Sequence, residues 1–479
     1  MKVEMRLSGL LCSMVLLTGL TACQDDWQFS ADASYGLDFS TDTLMMDTVF
    51  TGVTSGSLQF MVYNRNDVGL RFDAVMGSGA SSPFRINLDG EGGYRMTGLE
   101  IPARDSLFCY VSVNIPESST PFLFNAFDSV CFILESGKVQ YVRLQACGQN
   151  AVRLKGLSIT SDTTLAAGMP YLVYDSLYVA QGAALTLNPG VKLYFHSGTV
   201  LDVAGRIIAN GKPDSVILMR GDRLDIMWTE PPVPYDLLAS QWGGIRLRSC
   251  SYDNEFSYCD IHSGEFGIRA DSASAAQIKF SLYSSVVHNM NVNCIEATGC
   301  RIDVANSQIT NPGVSCVDIA GGDASFTFCT IASLSLWSYG TQAVLLSDHR
   351  DGAAVPFAGA RFSNCIITGR HNDEFVMNVA DSIKDSDRYY IGNSLVSTTD
   401  TLDTHYHNVV FDRHEKNRGG AYNFVNASRN GLVPVFALDS LSAARGISDT
   451  QSSQWPVDLN GISRPSAGAD AGCYQYVDN

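Results

Sequence analysis

Gly244-Ile245-Arg246-Leu247, Gly267-Ile268-Arg269-Ala270, Cys294-Ile295-Glu296-Ala297, Cys316-Val317-Asp318-Ile319 and Ala343-Val344-Leu345-Leu346 are versions of one short segment. Its central apolar residues, Ile245, Ile268, Ile295, Val317 and Val344, lie 23, 27, 22 and 27 residues apart. A second segment interleaves with the first: Cys259-Asp260-Ile261, Ser285-Val286-Val287, Ser307-Gln308-Ile309, Cys329-Thr330-Ile331, Cys365-Ile366-Ile367 and Ser394-Leu395-Val396, at spacings of 26, 22, 22, 36 and 29. Asn306, Asn364 and Asn393 stand directly before three of these. Alternation inside each segment is that of a strand with one face in and one face out. A period of about 20 to 30 residues without a helical pattern predicts a solenoid, each coil pairing in parallel with the coils before and after it. Inward residues then stack on their own copies, and the small residue or Cys marks a tight internal bend. Irregular spacings place loops outside, the largest near 335–360.

The flanks carry the pattern further. Ala184-Leu185-Thr186-Leu187-Asn188-Pro189-Gly190-Val191, then Leu201-Asp202-Val203-Ala204-Gly205-Arg206-Ile207-Ile208-Ala209-Asn210-Gly211, look like the opening coils of exported β-helix proteins. Trp242-Gly243-Gly244-Ile245 and the C-terminal Asp458-Leu459-Asn460-Gly461, Arg464-Pro465 and Gly468-Ala469-Asp470-Ala471-Gly472-Cys473-Tyr474 fit the same pattern. Together these residues resemble the right-handed parallel β-helix, the pectate-lyase-like fold, over about residues 165 to 479, within a second domain of residues 150–479. A leucine-rich repeat lacks its consensus here, and the repeats are too short for propeller blades.

Residues 36–149 read differently. Alternating runs at Leu44–Phe50, Leu58–Tyr63, Leu70–Val75, Phe84–Leu88, Leu107–Ile115, Val130–Leu134 and Val139–Ala146, with turn residues between, predict a sandwich of two antiparallel sheets. Ile101-Pro102-Ala103-Arg104-Asp105-Ser106 before a long alternating strand resembles bacterial immunoglobulin-like modules, which implies a spacer or contact surface and no activity. The fold class expected is therefore all-β: an immunoglobulin-like β-sandwich, then a right-handed parallel β-helix.

The chain opens with Lys2 and Arg6, an apolar run from Leu7 to Leu20, and Leu20-Thr21-Ala22-Cys23. Positive flank, short apolar core and small residues read as a secretory signal over residues 1–22. The ending resembles a bacterial lipobox, which implies a lipid on Cys23 and a membrane-anchored protein with residues 23–35 as tether. Gln24-Asp25-Asp26 resembles the surface-export signal of some Gram-negative lipoproteins, so the expected location is the outer membrane, facing outward.

The net charge of −17, with 32 Lys plus Arg against 49 Asp plus Glu, argues against nucleic acid as a partner. Setting aside Cys12 and Cys23, the remaining Cys are odd in number, and none stands in CxxC or zinc-finger spacing. Buried thiols are expected in the coils; Cys109, Cys131 and Cys147 leave room for one disulfide in the first domain.

Candidate site residues follow from the alternation. With Ile and Val inside, Arg246, Arg248, Arg269, Glu296 and Asp318 face outward, and Arg269, Glu296 and Asp318 fall on successive coils. Two carboxylates suit a glycoside hydrolase, and an Arg with a Ca²⁺ or charge clamp suits a polysaccharide lyase. The same row also reads as a ladder of opposite charges that keeps the sheet soluble and in register. The acidic and basic signatures of pectate lyases and polygalacturonases are missing. The insertion from Asp222 to Gln241 carries Trp228 and Tyr235 among prolines; it reads as a rim for sugar or protein contacts, or as a cover over the solenoid. His405-Tyr406-His407 invites a metal pair but lacks a third ligand, and Asp260-x-His262 invites acid–base chemistry beside the internal bend. No metal or other cofactor is expected, Ca²⁺ for a lyase excepted. The expected function is a surface lipoprotein binding a glycan or an outer-membrane protein without catalysis. A polysaccharide lyase or hydrolase, and a structural subunit of an outer-membrane assembly, are the alternatives.

Overall fold

Strand alternation with Val, Ile, Leu and Phe buried at every second position recurs in many of the strands, and the described residues are all-β apart from short helical turns. The computed structural model describes residues 28–119, 123–227, 229–335, 338, 340–412, 419–427, 433–449 and 454–478. Cys23 with the signal and tether residues before Gln28, Trp228, and Arg413-His414-Glu415-Lys416 lie outside the described residues. Among those described, no helix is long and apolar enough to cross a membrane. Two units are distinguishable, one ending at Gln149 and the other running on from Asn150.

In the first unit two five-stranded sheets share one apolar core. One runs Asp38–Phe39, Leu58–Tyr63, Ser106–Val113, Phe84–Leu88, Glu91–Gly93; the other runs Thr43–Phe50, Val139–Gln149, Phe124–Leu134, Leu70–Met76, Arg95–Ile101. Phe60, Phe72, Phe84 and Phe132 fill the space between them, all fully buried. The expectation of purely antiparallel sheets is corrected at one edge: Thr43–Phe50 runs parallel to Val139–Gln149, with Leu44 opposite Leu144. These strands are far apart in sequence, so no turn joins them and no turn signal sets their direction. The disulfide left open in this unit is not formed, and Cys109, Cys131 and Cys147 are free. Cys131 faces Tyr141 and Cys147 faces Asn125 across the strands, while Cys109 belongs to the other sheet, opposite Phe60 and Leu88.

The second unit is built from stacked coils of parallel strands. Ile245, Ile268, Ile295, Val317 and Val344 pair in that order, residue against residue. Ile261, Val287, Ile309, Ile331, Ile367 and Val396 do the same. A further ladder of ten strands, from Thr163–Leu165 to Tyr406–His407, escaped the sequence reading. Its inward residues include Phe256, Phe280, Phe326 and Phe362, and the Phe326 and Phe362 rings stack at 4.8 Å. All these inward residues belong to one continuous core cluster, so each coil is stabilised by its neighbours more than by itself.

The bend residues have a physical reason. Tyr258, Ser284, Asn306, Phe328, Asn364, Asn393 and Asn408 all adopt positive φ, between 46° and 57°. Asn tolerates this left-handed conformation best among residues with a Cβ. After the first six of these the following Ser or Cys turns inward, where Ser hydroxyls bond backbone of the coil before: Cys259 N donates to Ser285 Oγ at 3.0 Å, Ser285 N to Ser307 Oγ at 3.1 Å, and Cys365 N to Ser394 Oγ at 2.9 Å. Burial pushes the thiols of Cys259, Cys294, Cys316 and Cys329 well above their ordinary range, as expected of inert packing groups.

The Gly that leads the first ladder answers a close approach between coils. A Cβ on Gly267 would lie 2.2 Å from the backbone oxygen of Cys294 in the next coil. Gly267→Ala is expected to lower stability by about 1–3 kcal/mol, because backbone cannot yield as a side chain does. Urea unfolding of the two proteins checks this; equal midpoints would show that the coils separate at little cost.

The C-terminal segment 454–478 lies across the outward side of the second ladder. Arg464 Nη2 donates to Asn306 Oδ1 at 2.7 Å, Cys473 N to Thr330 Oγ1 at 3.1 Å, and Tyr474 OH to Gln308 Oε1 at 2.7 Å. These tail residues cover strand faces that would otherwise be wet.

Candidate functional site

The row Arg269, Glu296, Asp318 is assembled as alternation predicts, each residue beside the next on adjacent coils. Arg269 Nε lies 3.3 Å from Glu296 Oε1, and its guanidinium sits 4.1 Å over the Phe266 ring. Asp318 is 8% exposed, not outward in water as alternation alone suggests, because Arg350 from the following loop folds over it. Both Asp318 oxygens are taken by Arg350, at 2.8 and 2.9 Å. Asn293 Nδ2 reaches Glu296 at 3.4 Å and Asp318 at 3.3 Å. Arg246 pairs with Asp271 at 2.9 Å and Arg248 with Asp202 at 2.6 Å. The face is a succession of ion pairs in which every carboxylate named has a guanidinium partner.

Tyr235 opens a short turn, Tyr235–Leu237, after the antiparallel pair Ile226–Met227 and Val233–Pro234. Arg223 lies 3.8 Å over its ring, so that face of Tyr235 is already covered. The residue after it, Asp236, brings the insertion onto the second ladder. Its backbone oxygen accepts from Ser263 Oγ at 2.8 Å.

There a cluster forms that the sequence reading reached only in part. In Cys259–His262, Ile261 points into the core, so Asp260 and His262 lie on the opposite side. On the next coil, Val286–Met290 sets His288 beside His262, and the rings lie 4.6 Å apart. Asp260 Oδ1 lies 2.8 Å from His262 Nδ1 and 3.1 Å from His288 Nε2. The other nitrogen of His262 lies 2.8 Å from Asp236 Oδ1, and Arg220, on the preceding coil, forms an ion pair with Asp236. The His262 side chain is 4% exposed, while those of Asp260 and Asp236 are 35% and 47% exposed. One side of the cluster is therefore open.

Charge decides the protonation of these groups. Burial by itself lowers the His262 imidazole, but the Asp260 and Asp236 carboxylates outweigh it and hold it at about 9. Burial by itself raises the Asp260 carboxyl; the two imidazoles outweigh it and hold it far below the usual carboxylate range. Asp236 follows the same balance and is also lowered.

His288 was legible in principle. It lies 26 residues after His262, the spacing between Cys259 and Ser285 in the same ladder. Asp236 and Arg220 carried no such signal, because a loop and a third coil bring them in. The His405–His407 pair does not converge as a metal pair would. His405 bonds Asp403 at 2.6 Å and the Ser386 carbonyl at 2.9 Å, and His407 stacks on Tyr390. A cavity of about 360 Å³ on the last coils is bordered by Asp373, Phe375, Lys384, Tyr389, Asp403 and Tyr406.

No protein-family model matches the chain, and no curated protein does. Several solved structures are similar over part of it. A family 123 glycoside hydrolase from Clostridium perfringens, described for glycolipid glycan hydrolysis, shares 11% identity over 27% of this chain and 30% of that chain, with a TM-score of 0.20. The ASH/PapD-like domain of human CEP192 shares 11% over 24% of this chain and 84% of that one, with a TM-score of 0.16. A protein of unknown function from Porphyromonas gingivalis W83 shares 15% over 27% of this chain and 58% of that one, with a TM-score of 0.18. The chain thus spans less than a third of the hydrolase's length, and similarity at these scores carries no argument about fold or activity.

Proposed function

We propose that this is a lipoprotein anchored in the outer membrane through Cys23, whose coils form a right-handed parallel β-helix of the pectate-lyase-like kind. An immunoglobulin-like module precedes it as a spacer. The β-helix binds a glycan or a protein partner on its outer face and does not turn it over. The observation that carries this reading is the row of paired charges. Arg246, Arg248, Arg269 and Glu296 line this face as charged groups, with the Arg246 and Arg248 side chains 47% and 46% exposed, while Asp318 lies covered beneath Arg350. Both Asp318 oxygens are bonded to Arg350, and Glu296 is ion-paired with Arg269 at 3.3 Å, which counts against either as the carrier of a proton to or from a glycosidic oxygen.

The test is incubation of the protein, with Ca²⁺ present, against a panel of acidic and neutral polysaccharides, reading both retention and product release. Retention without release, weakened in an Arg246→Ala/Arg248→Ala variant, is the expected result. Release of unsaturated or reducing-end products would replace this reading with a lyase or hydrolase. Failure to retain any polysaccharide, with co-purification of an outer-membrane protein, would favour the role of structural subunit.

A further inference from the structure

We propose that Asp260, His262 and His288 form a binding site for a divalent transition-metal ion of the zinc class, with Asp236 orienting His262 from behind. One ligand atom from each of the three lies within 4.8 Å of the others. A tetrahedral zinc ion holds its ligands at about 2.0–2.2 Å, which sets them roughly 3.3–3.5 Å from one another. Asp260 Oδ1 stands 2.8 Å from His262 Nδ1 and 3.1 Å from His288 Nε2, so the ion would take the place of the proton between His262 Nδ1 and Asp260, which is released to solvent, as the side chains rotate to open the site.

The donor set selects the ion. Two imidazoles and one carboxylate suit zinc and its neighbours, whereas Ca²⁺ and Mg²⁺ take all-oxygen shells. The surroundings are those of a prepared site. A ligating imidazole characteristically hands its second nitrogen to a carboxylate, which fixes the ring and its tautomer. His262 does this through Nε2 to Asp236 at 2.8 Å, and Arg220 holds Asp236 in turn. Both imidazoles ride on paired strands of adjacent coils, more rigid supports than loops. Three protein ligands leave one coordination position for water or a ligand atom, and the exposed edge of Asp260 gives the ion its way in.

The test uses the full chain in detergent, stripped with chelator and titrated with ZnCl₂ by calorimetry, with CoCl₂ absorption as the spectroscopic readout. One ion per chain is expected, with the intense visible bands of four-coordinate cobalt. His288→Ala and Asp260→Ala should abolish binding, Asp236→Asn should weaken it by about 10–100-fold, and His407→Ala should leave it unchanged. Circular dichroism checks that each variant folds. Should the alanine variants not fold, Asp236→Asn decides alone. Absence of saturable binding to the wild-type chain, or equal affinity in wild type and Asp236→Asn, would overturn the proposal.

Discussion

Glu374→Gln is expected to stabilise the protein by a few kcal/mol at pH 8 and above and to leave it nearly unchanged at pH 4. Glu374 is wholly buried among the coils. Its Oε1 accepts from the His371 backbone N–H at 2.7 Å, and its Oε2 has no hydrogen-bond partner among the described residues. It packs against Gly369, where a Cβ would lie 2.1 Å from Oε1. Burial pushes its carboxyl up from 4.5 to about 8, against backbone N–H groups that pull it down. Between those two values the folded chain keeps a proton that the unfolded chain has lost. Unfolding then releases a proton, so stability falls as pH rises, by about 1.4 kcal/mol per pH unit, and levels off above the folded value. The amide of Gln does not titrate and occupies the same space, so it lacks this decline. Unfolding by urea at pH 4, 6 and 8 measures it: the two proteins should agree in acid and diverge with rising pH. Curves that stay parallel would show that the Glu374 carboxyl titrates in the folded state as it does in the unfolded one, with no upward shift.

Asp412→Ala is expected to destabilise the end of the solenoid by about 3–5 kcal/mol, since removing a buried charged acceptor leaves its donors unpaired. Asp412 Oδ2 accepts from Thr368 Oγ1 at 2.6 Å, Ser397 Oγ at 3.2 Å and Asn423 Nδ2 at 3.1 Å, and its Oδ1 accepts from the Tyr422 hydroxyl. Thr368 and Ser397 come from two successive coils, and Tyr422 and Asn423 from the helical turn Gly419–Asn423 that follows. One carboxylate thus ties the last coils to the segment that caps them. The loss should appear locally, as faster hydrogen exchange over residues 366–412 and 419–427, before it appears as global unfolding. Asp412→Asn, which keeps one acceptor, should lose less. A stability change below about 1 kcal/mol in the Ala variant would mean that the donors find other acceptors or water.

Both effects lie where sequence reading is weakest. Glu374 looks like any acid in a polar loop, and Asp412 like any residue beside a turn. What the repeats did make legible was the register: once Ile268, Ile295 and Val317 are aligned, Arg269, Glu296 and Asp318 must be neighbours. They also contained His288, through a spacing shared with Cys259 and Ser285. The third ladder was missed because its strands, such as Asn254–Ser257 and Arg301–Ala305, share no marker residue, only an apolar side chain pointing in. The parallel edge strand of the first unit was missed because pairing direction between strands about a hundred residues apart leaves no local trace.

Periodicity, alternation and bend residues are local properties, and they sufficed for an all-β chain whose second part stacks coil on coil. They sufficed because each coil must bury its inward residues on the next, so the same pattern has to recur. What only the tertiary structure decided is how charged groups meet. Arg350 closing on Asp318, Asp236 reaching His262 from a loop, and the tail covering Gln308 and Thr330 all join residues of unlike sequence context. Such contacts depend on where loops return to the solenoid, and no repeat constrains that.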